Sequence, residues 1–203
     1  MATASTPVAN GPTKKYAEAP EPRSPISDTT AARIKELYGI EPDVLRDLGV
    51  CEYEEWVCIP VMNGRMSYGP FWEYRLLPPY PNFARKSKHY RSEQLWLNDF
   101  ENTSDVCIVV EDNWSAIKCW QAGYSSVALM GTHMSSEAAL YLATTYAKSD
   151  VVLCLDKDAT DKAVGYVKKY GLLFNSLRFV PIDQDLKWKT TEQIRELIGG
   201  STV

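Results

Sequence analysis

The 203-residue chain lacks features that mark several classes of protein. Its five cysteines form no Cys-x-x-Cys pair, and Cys51 and Cys58 have no second Cys/His pair nearby, so no structural zinc is expected. No apolar run approaches the roughly 20 residues needed to span a bilayer. The N-terminus has no apolar core of the signal-peptide kind. We therefore expect a cytoplasmic protein without membrane association.

The chain also has no excess of positive charge. Its net charge of −4 argues against a protein that coats nucleic acid non-specifically. A local basic groove is still compatible with it, because binding follows the distribution of charge rather than the total. Hydrophobic residues make up 45% and charged residues 24%, as in ordinary globular proteins. This length accommodates one domain or two small ones.

The pattern along the chain predicts three parts. Residues 1–25 contain five of the twelve prolines among Ala, Thr and Ser, which is typical of a disordered tail. Residues 26–104 predict a small basic α+β subdomain, with two helices followed by aromatic-rich, alternating strands. Residues 105–203 form the third part, which carries the clearest pattern. We find no internal repeat.

A basic stretch lies within residues 75–91, which contain no acid. Aromatic residues are interleaved with the cations, an arrangement that suits a groove for a single nucleic-acid strand with base stacking. The alternative is a solvated surface with no ligand. The cations are Arg75, Arg85, Lys86, Lys88 and Arg91.

The third part alternates strands and helices four times, with short connections. Its strands are continuous apolar runs, which indicates an α/β fold with a parallel sheet covered by helices on both faces. The predicted strands are 106–110, 126–130, 151–155 and 177–182, and the predicted helices are 113–123, 135–148, 159–171 and 190–198.

Carboxylates follow three of these four strands. Glu111 follows the first strand, Asp156 and Asp158 the third, and Asp185 comes after the fourth. Ligands of such sheets bind beyond the C-terminal strand ends, where clustered carboxylates repel one another unless a cation neutralises them. All-oxygen ligands suit Mg²⁺ or Mn²⁺. The alternative is that these acids only cap the helices that they precede.

The acidic motifs resemble those of the Toprim domain of primases, topoisomerases and some nucleases. The family has a glutamate after the first strand and Asp-x-Asp after the third; here these are VVED (109–112) and LDKDATDKA (155–163). The resemblance is closest to phage and bacterial primases, in segments 120–142 and 180–194. On this resemblance Glu111, Asp156 and Asp158 are catalytic metal ligands, and Asp185 is a further ligand.

The upstream part resembles the basic subdomain that precedes Toprim in primases. Segment 56–77, followed by SKHYRSEQLW (87–96), carries this resemblance. It places Arg75 and Lys88 at positions that contact template or nucleotide. The chain departs from the family at Asp112, where glycine is usual, and at Ser115, where many primases have an acid. It also has neither the zinc module nor the helicase that often accompany a primase core.

The resemblance implies an enzyme of DNA replication in a bacterial or phage-infected cell. It would synthesise RNA primers from nucleoside triphosphates on single-stranded DNA, with a replicative helicase as a candidate partner. Two alternatives use the same fold: a Toprim nuclease, and a catalytically weakened module that binds single strands or a helicase. The Asp156-x-Asp158 motif also echoes haloacid-dehalogenase phosphatases, but those carry it on their first strand.

Overall fold

The computed structural model describes residues 24–61, 71–78 and 97–200, which form two β-sheets with associated helices. The predicted tail lies outside these residues except for its last two, Ser24 and Pro25, which pair with a neighbouring strand. Residues 79–96, with most of the basic stretch, also lie outside. Within the described ranges, no helix combines the length and the apolar character needed to cross a membrane.

The smaller sheet is antiparallel and has the order β1-β2-β3-β4. A tight connection joins β2 to β3, and Cys51 lies opposite Cys58 across this pair. Two helices, α1 and α2, fall between β1 and β2, as the sequence predicts. The bounds are β1 Ser24–Pro25, α1 Asp28–Tyr38, α2 Pro42–Asp47, β2 Cys51–Tyr53, β3 Trp56–Val61 and β4 Phe71–Arg75.

Helix α1 begins and ends at residues suited to these positions. The Ser27 hydroxyl accepts a hydrogen bond from the Thr30 amide at the N-terminus of the helix. Gly39 ends the helix in the left-handed region, with φ of 62°. The buried Lys118 ammonium donates to the carbonyls of Tyr38 and Gly39, at 2.9 and 2.7 Å. A β-carbon at Gly39 would lie 2.8 Å from that ammonium. Both the left-handed backbone and this close approach therefore favour glycine at position 39.

The larger sheet has five strands in the order β5-β7-β6-β8-β9. Four of them, β7, β6, β8 and β9, are parallel, and four helices connect or follow them. The bounds are β5 Asn98–Phe100, β6 Val106–Val110, α3 Asn113–Gln121, β7 Ser125–Ala128, α4 Ser136–Thr145, β8 Asp150–Leu153, α5 Thr160–Tyr170, β9 Ser176–Phe179 and α6 Thr191–Gly199.

The prediction of an α/β fold is confirmed, but the sheet is mixed rather than purely parallel. Strand β5 runs antiparallel to β7 at one edge. Its sequence, Asn-Asp-Phe, does not resemble a buried strand, yet all three residues are buried. Polar partners explain this burial, since the Asp99 carboxylate accepts hydrogen bonds from the hydroxyls of Tyr141 and Tyr146.

Helices cover both faces of the larger sheet. Alternate residues of β6 point to opposite faces. Ile108 belongs to a core that includes residues of α1, α3 and α6. Val109 belongs to a second core that includes residues of α4 and α5. The central strands are therefore buried from both sides, which accounts for their continuous apolar sequences.

A polar network connects the two sheets. The Asn98 amide group donates to the Pro60 carbonyl and to the Asn113 side-chain oxygen, at 2.8 and 2.9 Å. Asn113 in turn donates to the Glu73 carboxylate at 2.6 Å. Because these side chains are buried, each bond satisfies a group that would otherwise be costly to desolvate. The network fixes the first turn of α3 against β4.

Candidate metal site

Three carboxylates converge at the C-terminal edge of the larger sheet. Glu111 directly follows β6, and Asp156 and Asp158 follow β8, its parallel neighbour. One carboxylate oxygen from each residue lies within 4.8 Å of the others. The structure thus brings together the three acids that the sequence singles out.

Backbone contacts hold the inner part of this group. The Asp156 amide donates to Glu111 Oε1 at 3.0 Å, which fixes the two residues side by side. The Gly131 amide donates to the Glu111 carbonyl at 2.9 Å and brings the loop after β7 to the same place. Asp158 lies in a short 3-10 turn and is exposed. Glu111 and Asp156 are therefore half-buried, whereas Asp158 is exposed.

Helix capping does not account for Asp156. It precedes the 3-10 turn, but its side chain makes no capping hydrogen bond. The residue that caps a helix is instead Asp112. Its carboxylate accepts hydrogen bonds from the amides of Trp114 and Ser115 at the start of α3. Ser115 also donates its hydroxyl to Asp112 at 3.0 Å. The two departures from the Toprim pattern, Asp112 and Ser115, thus form one cap.

Ionisation of the two half-buried acids, Glu111 and Asp156, is disfavoured by their surroundings. Burial, followed by the charges of Glu111 and Asp185, raises the pKa of Asp156 to about 7. Burial also raises the pKa of Glu111, with smaller contributions from the charges of Asp158 and Asp185. Among the ion pairs of the described residues, none involves Glu111, Asp156 or Asp158. A bound cation would relieve this repulsion.

Lys187 is a functional candidate that sequence reasoning missed. Its ammonium lies 3.1 Å from Asp112 Oδ2 and also binds Asp185. Burial alone would lower the pKa of Lys187, but the two carboxylates raise it above its ordinary value. Burial alone would raise the pKa of Asp112, but Lys187, Arg75 and Ser115 lower it overall. In the sequence, only the closeness of Lys187 to Asp185 marks this lysine. Asp112 lies 75 positions away, and no sequence pattern connects it with Lys187.

Asp185 is not one of the three converging carboxylates, although it lies close to them. Its charge contributes to the raised pKa of both Glu111 and Asp156, which places it nearby. Its own carboxylate is bound by Lys187. The assignment of Asp185 as a metal ligand stays a prediction.

Arg75, the first of the predicted nucleic-acid contacts, is at the end of β4 and only 8% exposed. Its Nε lies 3.1 Å from Glu73 Oε1, so the cation is paired on its own strand. Its charge also lowers the pKa of Asp112, which brings it near the cap of α3. The other four predicted cations lie outside the described residues: Arg85, Lys86, Lys88 and Arg91.

The carboxylate group suits a hard cation. Oxygen atoms on one Mg²⁺ are about 3 to 4.2 Å apart, given metal–oxygen distances of about 2.1 Å. The separation of up to 4.8 Å is slightly wider than this range, and Asp158 is the exposed member of the three. Glu111, Asp156 and Asp158 can together hold a metal ion. Neither models of known protein families nor curated protein sequences match this chain.

Proposed function

We propose that this chain is a primase-like nucleotidyltransferase module that acts with Mg²⁺ or Mn²⁺ in DNA replication. Its substrates would be nucleoside triphosphates and single-stranded DNA, and its product an RNA primer. The observation that carries the proposal is the convergence of Glu111, Asp156 and Asp158. Among the described residues, no lysine or arginine forms an ion pair with these three acids.

Glu111, Asp156 and Asp158 would hold the ion. When bound, it would neutralise phosphate charge and so favour attack of a 3′-hydroxyl on the α-phosphorus of a nucleoside triphosphate, with pyrophosphate as the leaving group. A hydrogen bond from the Asp156 amide positions the Glu111 carboxylate, and the Gly131 amide holds the Glu111 carbonyl. That preorganisation matters, because a ligand already in place needs no rearrangement when charge develops on the transferring phosphoryl group.

Positive side chains would bind the phosphates beyond the ion. Lys162 donates to the Thr132 hydroxyl at 2.7 Å, so it lies near the loop that contacts Glu111. Lys162 is exposed and Thr132 is partly exposed, so we propose Lys162 as a contact for the triphosphate. Arg75 is more buried than Lys162. It is better suited to stabilising the charge of Asp112 at the start of α3 than to binding a nucleic-acid strand.

The strand-binding part of the proposal rests on the sequence. The four predicted cations Arg85, Lys86, Lys88 and Arg91 would track the backbone of the template. A replicative helicase is the proposed protein partner, because primases act where a helicase exposes single strands.

Primer synthesis tests the proposal directly. The purified chain is incubated with single-stranded DNA, labelled NTPs and Mg²⁺ or Mn²⁺, and products are separated by size. We expect short RNA products from the wild type and at least a hundredfold loss in the Asp156→Asn, Asp158→Asn double variant. Asp183→Asn is the matched control, since Asp183 follows β9 but pairs with Lys189 outside the group.

Parallel reactions without NTPs separate synthesis from hydrolysis. Cleavage of the DNA that depends on Asp156 and Asp158 would replace the primase proposal with a nuclease. Synthesis that persists unchanged in the double variant would refute the proposed site. Strand binding that persists in EDTA, with neither synthesis nor cleavage, would replace the enzyme with a binding module.

A further inference from the structure

Two cysteines lie opposite each other in the smaller sheet, on the neighbouring strands β2 and β3. We infer that Cys51 and Cys58 are a modification site, at which a low-molecular-weight disulfide such as glutathione disulfide converts the two thiols reversibly into one cross-strand disulfide. This inference is independent of the proposed function, because it depends only on the hairpin that β2 and β3 form.

The register of the hairpin gives the two cysteines the spacing of a disulfide. Cys51 pairs directly with Cys58, and the same ladder continues to Tyr53 and Trp56 beside the turn. Directly opposite residues of antiparallel strands have Cα atoms about 4.5–5.5 Å apart. A disulfide spans a Cα separation of about 4.4–6.8 Å. The bond can therefore form without a change in strand pairing.

Both cysteine side chains lie on the same face of the sheet. Val57 and Ile59 belong to the same core as Ile108, so Cys58 between them points to the opposite face. Directly opposite residues of a strand pair share a face, and Cys51 therefore points the same way as Cys58. The other three cysteines are buried in the two cores around the larger sheet: Cys107, Cys119 and Cys154.

The exposure of each thiol determines the order of the reaction. Cys51 is partly exposed, whereas Cys58 is fully buried and its pKa is raised by burial to about 12. The Cys51 thiolate would therefore attack one sulfur of glutathione disulfide, whose sulfur–sulfur bond breaks and releases one glutathione. Cys58 then attacks the Cys51 sulfur, and the second glutathione leaves. The two cysteine protons pass to the released glutathiones, and the two electrons lost by the cysteines reduce the glutathione disulfide.

Formation of the bond draws β2 and β3 slightly together. Opposite β-carbons of a strand pair are about 4.5–5.5 Å apart, whereas those of a disulfide are about 3.5–4.5 Å apart. Strained disulfides are more easily reduced, so an excess of thiol should reverse the reaction. The oxidised pair would fix β2, whose Glu52 carboxylate accepts a hydrogen bond from the Ser27 hydroxyl at the start of α1.

Counting free thiols by mass spectrometry tests this inference. The full chain is equilibrated with excess glutathione disulfide at pH 8, denatured in acid, alkylated with N-ethylmaleimide and weighed intact. We expect three of the five cysteines to be alkylated after oxidation, and all five after treatment with dithiothreitol. Both cysteines lie in one tryptic peptide, residues 47–65, which should be lighter than its reduced form by two hydrogen atoms.

Single variants separate the two steps of the reaction. Cys58→Ser should retain one glutathione on Cys51, because the second step has lost its thiol. Cys51→Ser should keep its four remaining thiols, since Cys58 is buried from the reagent. Cys119→Ala is the matched control, because Cys119 lies in the core of the larger sheet, and this variant should still lose two thiols.

The oxidised wild type decides the outcome without any substitution. Alkylation of all five cysteines would overturn the inference, as would a lasting glutathione adduct on Cys51. A disulfide that joins two chains, or that pairs Cys51 or Cys58 with any other cysteine, would also overturn it. A failure of the proposed primer synthesis would leave these thiol counts unchanged.

Discussion

Replacing Asp156 by asparagine should stabilise the metal-free protein at alkaline pH, although it removes a ligand of the proposed metal site. The carboxylate is half-buried, and its pKa is raised by burial and by the charges of Glu111 and Asp185 to about 7. Ionisation of this group in the folded protein is therefore unfavourable. Asparagine has nearly the same shape and keeps the backbone bond to Glu111.

The expected effect follows from proton linkage. The folded protein retains a proton that the unfolded chain releases near pH 4, so stability falls as the pH rises from about 4 to about 7. The difference between pKa values of 3.8 and about 7 corresponds to about 4 kcal/mol. Solvent screening of a half-buried group reduces this to about 2 kcal/mol. The melting temperature of the variant should exceed that of the wild type by about 4–8 °C at pH 8.

Thermal unfolding in EDTA at pH 4 and at pH 8 measures this effect. The two proteins should melt together at pH 4 and separate at pH 8, and Mn²⁺ should stabilise the wild type alone. Asp183→Asn should gain nothing at pH 8, because a hydrogen bond from Lys189 lowers the pKa of Asp183. A variant that is less stable than the wild type at pH 8 in EDTA would refute the reasoning.

Three further substitutions test contacts that support the site, each by urea unfolding at pH 7. Asp112→Ala removes the cap of α3 and leaves the Lys187 ammonium with one partner, at an expected cost of about 3 kcal/mol. Tyr146→Phe removes a donor to buried Asp99 and should cost about 2 kcal/mol. That cost should shrink as the pH falls through the pKa of Asp99, which burial raises. Lys118→Met removes two bonds to the end of α1 and should cost about 2 kcal/mol. Wild-type stability in any of the three would contradict the corresponding contact.

Much of the larger sheet could be predicted because its strands are apolar and its helices carry clear caps and stops. The order of strand and helix from Val106 onward matches the sequence pattern, with ends differing by a few residues. The approach of Glu111 to Asp156 also follows from sequence, since neighbouring parallel strands bring their C-terminal ends to one edge.

The edge strand β5 and the Lys187 contact could not be predicted, and for related reasons. Asn98 and Asp99 are polar residues whose burial depends on partners far along the chain, including Asn113 and Tyr146. Hydrophobic periodicity carries no information about such pairs. Lys187 likewise lies 75 positions from Asp112, and only the tertiary fold brings the two together.

The start of α3 has a consequence for the order in which the protein assembles. Three consecutive residues, Glu111, Asp112 and Asn113, contact Asp156, Lys187 and Glu73, respectively. Closing the contact from Glu111 to Asp156 spans 45 positions, whereas the contact from Asp112 to Lys187 spans 75. Long loops close later and more slowly than short ones. During synthesis, Glu111 would therefore meet Asp156 before Lys187 reaches Asp112, so a nascent chain would pass through a stage in which Asp112 lacks its lysine partner.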